Sequence, residues 1–174
     1  TALQRVVPVG YEPELHRSAS YREAPGLAYL TLHPDPVTLA EALVHETQHT
    51  KLNIASWLDP VLRNGRSVWT PSPVRPDLRP LWGVLLAVHA FVPVAAMHHA
   101  LAAQDHPLTR TPEFPRRRAE VLAGNARGLA IVQDQGEPTA LGARLIDEMA
   151  ALHHHLVDLA PDLPPMDPDT LPPG

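Results

Sequence analysis

The sequence predicts an α+β protein, mainly helical, with a small β-sheet on its N-terminal side. Three observations carry that prediction. Two short runs of β-branched and aromatic residues, each bounded by Pro or Gly, lie in the first third of the chain. Longer stretches of near-helical apolar spacing fill the rest. Breakers separate them, drawn from 21 prolines in 174 residues.

Taken in order, Arg5-Val6-Val7-Pro8-Val9 and the run from Gly26 to Leu32 read as strands. A helix start follows: Asp35 is a good N-cap, Pro36 suits the first helical position, and Glu41 falls in the second turn. Val37, Ala40, Val44, Ile54, Ala55 and Leu58 recur at near-helical spacing until Asp59-Pro60 ends the run. Residues 60–80 cannot be regular, with Pro60, Pro71, Pro73, Pro76 and Pro80 and an Asn64-Gly65 turn signal. A second helix is predicted from Leu81 to about Ala103, kinked at Pro93. Two amphipathic helices then span 114–134 and 138–159, separated by Gly136. Residues 1–160 thus read as one domain and 161–174, with six prolines, as a loose tail. The chain begins without methionine, which suggests the C-terminal part of a longer polypeptide.

Composition narrows the function. The absence of cysteine excludes a disulfide scaffold, a Cys-ligated zinc site and a thiol nucleophile. A net charge of −5, from 14 Lys+Arg against 19 Asp+Glu, argues against nucleic acid as the main partner. No apolar run is read as approaching the roughly 20 residues that span a bilayer, and no signal peptide is visible. The chain reads as cytoplasmic, with no membrane partner.

The chemistry lies in His45-Glu46-Thr47-Gln48-His49, an H-E-x-x-H sequence inside the best-predicted helix. Helical pitch puts residues four apart on one face, so both imidazoles reach one metal ion. Glu46 lies about 100° round the helix, placed to act on a metal-bound water as catalytic base. Imidazole pairs suit zinc, iron, copper and nickel and do not choose among them.

The third ligand decides the enzyme class. A metzincin needs Gly at 52 and His at 55, where Leu52 and Ala55 stand. A gluzincin takes a glutamate from the next helix, but none occurs between Glu46 and Glu113. In the second helix His89 follows the apolar stripe of Trp82, Leu85 and Leu86 and is the leading candidate, a core histidine being its bland alternative. His98-His99 falls near the helix end, where cations and caps are usual. Asp77 is the carboxylate rival, since a 2-His-1-carboxylate set favours non-haem Fe(II). Glu41, one turn before His45, either orients that imidazole or is a solvated helix residue. Arg75 and Arg79, set between prolines, suit bidentate binding of a peptide carboxylate, a C-terminus or a small oxoacid. His153-His154-His155 reads as a surface run, Arg116-Arg117-Arg118 as a solvated face, and His16, His33 and His106 lack visible partners. Ser20, Tyr21 and Tyr29 are open as substrate contacts.

These residues resemble a family. The stretch from Ser20-Tyr21 through Pro25-Gly26-Leu27 and Leu39 to His49, then Lys51-Leu52-Asn53, Trp69-Thr70-Pro71, Asp77 to Leu81, Gly83 and His89-Ala90-Phe91 is similar to the HExxH motif-containing peptide modification proteins of bacterial RiPP gene clusters. Thr70-Pro71-Ser72-Pro73 stands where that family carries Pro-Trp-Arg. The resemblance implies action on a ribosomally made precursor peptide by Fe(II)- and 2-oxoglutarate-dependent β-hydroxylation. It further implies that His45, His49 and a third ligand hold iron. On the same resemblance, Arg79 would pair with a 2-oxoglutarate carboxylate and Glu46 would position a water or substrate group. The alternative is a zinc metallopeptidase, with Glu46 as general base and the strand upstream of the helix pairing with an extended peptide.

Overall fold

The computed structural model describes residues 2–71 and 77–163. It is α+β and mainly helical, and the chain gathers into two compact units, one ending at Leu58 and one beginning at Asp59.

The first unit is a three-stranded sheet and one helix. Strand β1 (Arg5–Tyr11) runs parallel to β3 (Leu27–Leu32), and the short β2 (Ser18–Ser20) runs antiparallel on the other side of β3. Pro8 is tolerated because β1 is an edge strand. Gly26, at φ +85°, turns the chain into β3 and offers its carbonyl to the amides of Gln4 and Arg5. Ala28 and Leu30 are buried on alternate positions of β3. Strand β2 is too short and polar to leave a sequence signal. Strands β1 and β2 flank β3 on both sides, so the sheet edges are β1 and β2 rather than the strand next to the helix.

Helix α1 (Pro36–Ala55) carries the motif and starts as predicted. The Asp35 carboxylate accepts from the amides of Val37 and Thr38 at 3.1 and 3.0 Å. The helix ends at Ala55 with Ser56 as its cap, one turn before the predicted stop. Its buried face differs from the predicted apolar stripe. Ile54 and Leu58 are exposed, whereas Glu41, Glu46, Thr50 and Asn53 are buried beside Val37, Ala42 and Leu52.

In the second unit, β4 (Trp69–Pro71) and β5 (Leu78–Pro80) form an antiparallel pair inside the stretch predicted to be irregular. Helices α2 (Leu81–Ala103), α3 (Glu113–Gln135) and α4 (Ala140–Asp158) follow, close to the predicted spans, and α2 packs on the other two. Their core includes Leu81, Leu85, Val92, Leu129, Val132, Ile146 and Leu156. Helix α2 is long and apolar enough to cross a bilayer by length and composition, which corrects the expectation that no run approaches that length. Half of its most apolar window is buried within the protein, which its role as a core helix explains.

A loop is strapped across the α3–α4 connection. Asn64 bonds the carbonyl of Gln135 and the amide of Glu137, and Thr139 donates to Asp59. A side chain at Gly142 would overlap the Val61 carbonyl oxygen. We therefore expect Gly142→Ala to destabilise the protein by about 1–2 kcal/mol in urea unfolding. Overpacking costs about 1–3 kcal/mol and the helix-propensity gain returns part of it. An unchanged midpoint would mean that the loop yields.

Candidate metal centre

Helical spacing sets the geometry. On α1 the rings of His45 and His49 lie with centroids 4.1 Å apart, on one face and one turn from each other. Together with Glu46 they form the group of potential ligands found among the described residues, with ligand atoms all within 4.8 Å of one another. Nε2 of His49 is buried and makes no hydrogen bond, while its side chain keeps 17% exposure. A buried ring nitrogen without a partner beside a second imidazole is the donor set a divalent transition metal takes. The residues fit such an ion.

Glu46 is the most constrained member. It is 1% exposed. The Ser18 hydroxyl donates to Oε1 at 2.6 Å and the Ser20 hydroxyl to Oε2 at 2.5 Å. Alternation along β2 turns both serines to one side, which faces α1. Nδ1 of His49 lies 3.6 Å from Oε2, just beyond hydrogen-bond length. Burial pushes the Glu46 carboxyl up, but His49 and the two serine hydroxyls outweigh it and hold the carboxyl down to about 2. Glu46 is an ionised acceptor with both oxygens engaged.

Around this group, Glu41 is buried, so the solvated-helix alternative for it does not hold. His16 precedes the two serines at strand spacing. Its Nδ1 is 3.3 Å from the Thr31 hydroxyl and its ring stands edge-on to His33. Burial pushes the His16 ring down, as does His33, against the pull of Glu46, Thr31 and Glu41. His33 accepts from the Asp35 amide, and His106 accepts from the Leu108 amide at a short 3-10 turn. All three thus have partners that sequence reading did not see. Ser18 was missed altogether; two serines at strand spacing were its only signal, and Ser20 alone was noticed.

The other predicted site residues belong to the second unit. His89 is half-buried on α2. Arg79, on β5, donates through Nε to Asp77 at 2.9 Å, so this rival carboxylate is engaged by the neighbouring guanidinium. Arg75 lies outside the described residues. His98 is not a helix-end cap but a core residue, 1% exposed, with its ring edge-on to Phe114 at 5.3 Å between centroids. His153 is also buried, so the run at 153–155 is not wholly a surface feature. Arg116 and Arg117 pair with Glu120, whereas Arg118 is half-buried and burial pulls its guanidinium down, so the run is a solvated face only in part. Compared with known proteins, the chain matches no family model and no curated protein.

Proposed function

We propose that this chain is a mononuclear metalloenzyme that hydroxylates a side chain of a ribosomally made precursor peptide, with Fe(II) and 2-oxoglutarate as cofactors, in the cytoplasm. The observation that carries this reading is the His45–His49 pair set beside a carboxylate whose two oxygens are both already occupied. Hydrolysis by an H-E-x-x-H site needs that carboxylate to take a proton from bound water. Here Ser18 and Ser20 already donate to its two oxygens and, with His49, hold the carboxyl down to about 2, which makes it a weak base. Oxidation makes no such demand, and the resemblance over residues 20–91 points the same way.

The chain's residues have separate tasks. His45 and His49 hold the ion through ring nitrogens, and the sequence reading adds His89 as third ligand. Glu46 stays ionised and fixed. Arg79, oriented through its Nε by Asp77, is the residue for a cosubstrate carboxylate, with Arg75 beside it in sequence. Bound iron supplies the oxidising power: O₂ and 2-oxoglutarate give succinate and CO₂, and one oxygen atom enters a peptide C–H bond.

Anaerobic optical titration of the Fe(II)-loaded protein with 2-oxoglutarate tests the reading. A visible metal-to-ligand charge-transfer band is expected. No band from protein holding Fe(II) at full occupancy would overturn it, and zinc-dependent peptide cleavage would become the activity to assay.

A further inference from the structure

The usual part for the glutamate of an H-E-x-x-H sequence is that of a base acting on bound water. The contacts of Glu46 assign it something else. An ionised carboxylate offers about four acceptor sites; the Ser18 and Ser20 hydroxyls take one on each oxygen, and Nδ1 of His49 stands 3.6 Å from Oε2. Both hydroxyls come from β2, whose backbone is paired to β3 from Ser18↔Leu30 to Ser20↔Ala28. The carboxylate is thereby fixed by the sheet as well as by its own helix. His49 turns Nδ1 toward Oε2, the oxygen that Ser20 also binds, and leaves Nε2 buried without a partner.

We propose that Ser18, Ser20 and Glu46 form a positioning relay for His49: the two hydroxyls fix the carboxylate, and the carboxylate fixes His49 in the tautomer that presents Nε2 to a metal. The inference rests on the reading of His45 and His49 as metal ligands. Its physical basis is that a ligating imidazole gains basicity and a fixed orientation when its other nitrogen donates to a carboxylate. Glu46 is then a positioning residue, and β2 is as much a part of the metal centre as α1. Substituting the hydroxyls, which touch no ligand atom directly, should change how His49 binds.

The experiment compares Ser18→Ala/Ser20→Ala with Ser18→Thr/Ser20→Thr, the latter keeping both hydroxyls on a strand that favours threonine. In the metal-free protein, two-bond ¹H–¹⁵N correlation spectra at about pH 8, where an ordinary imidazole is neutral, read the His49 tautomer. The parent and the Thr pair should show a proton held on Nδ1, and the Ala pair a mixture of tautomers. Zn(II) affinity, measured by competition with a chromophoric chelator, should fall about 10-fold or more in the Ala pair. In the Thr pair it should stay within about 3-fold of the parent, on the same scale. Should the Ala pair fail to fold, each single Ser→Ala variant is read in the same two ways, with a smaller loss expected. An unchanged tautomer and unchanged zinc affinity in folded Ala variants would overturn the relay while leaving the metal site intact. A parent with the fixed tautomer that binds neither Zn(II) nor Fe(II) would instead overturn the metal reading on which the relay rests.

Discussion

Replacing His45 and His49 together with alanine should leave a folded protein that no longer holds Fe(II) or Zn(II) stoichiometrically. Affinity should drop by more than the roughly 10–100-fold that removal of an outer-shell partner costs, because two ligands are lost. The fold should survive with a lowered thermal midpoint, since His49 also helps to hold the buried Glu46 charge. Both rings are only partly buried, and alanine favours the interior of a helix such as α1 by a few tenths of a kcal/mol. Circular dichroism and the thermal midpoint check the first point, and metal analysis after dialysis checks the second. His89→Ala belongs in the same series, since retention of parental stoichiometry and affinity would remove His89 from the ligand set.

Glu46→Gln should have the largest effect on stability of any conservative change in the first unit. The native carboxyl, held down to about 2 from 4.5, contributes up to about 3 kcal/mol to the metal-free protein. The sign follows from proton binding. Between pH 4.5 and 2 the unfolded chain binds the proton that the folded one refuses, so stability rises with pH across that window. The contribution is complete above the unfolded value and is lost as pH falls through about 2. Glutamine keeps one acceptor oxygen but turns an amide toward a hydroxyl or toward Nδ1 of His49. We expect denaturant unfolding at neutral pH to show a loss of up to about 3 kcal/mol. The variant should also lack the parent's decline on that part of the acid limb. Equal stabilities at neutral pH, with parallel acid limbs, would show that Ser18, Ser20 and His49 do not hold the charge as described.

The helices of this protein were legible because their signals are local. Asp35-Pro36 marks a helix start by capping chemistry alone, and the long apolar run after Pro80 marks α2 with almost no ambiguity. The H-E-x-x-H spacing likewise places His45 and His49 on one face by helical pitch alone. What stayed hidden depends on contacts between segments distant in sequence. Ser18 and Ser20 sit 28 and 26 residues from Glu46, on a strand of three residues that no periodicity could reveal. The buried face of α1 was misread for the same reason. Apolar spacing points to Ile54 and Leu58, but the helix turns Glu41 and Glu46 inward. His98 and His153 show the converse error, since runs of histidine suggest surface or cap while packing draws single members into the core.

The central claim is that His45 and His49 hold one metal ion, and its most direct test is titration of the metal-free protein with Co(II), followed by visible absorption. The account predicts saturation at one ion per chain, with ligand-field bands of nitrogen coordination that are absent from the His45→Ala/His49→Ala protein. Titration without saturable bands, or bands that persist unchanged in that variant, would contradict it.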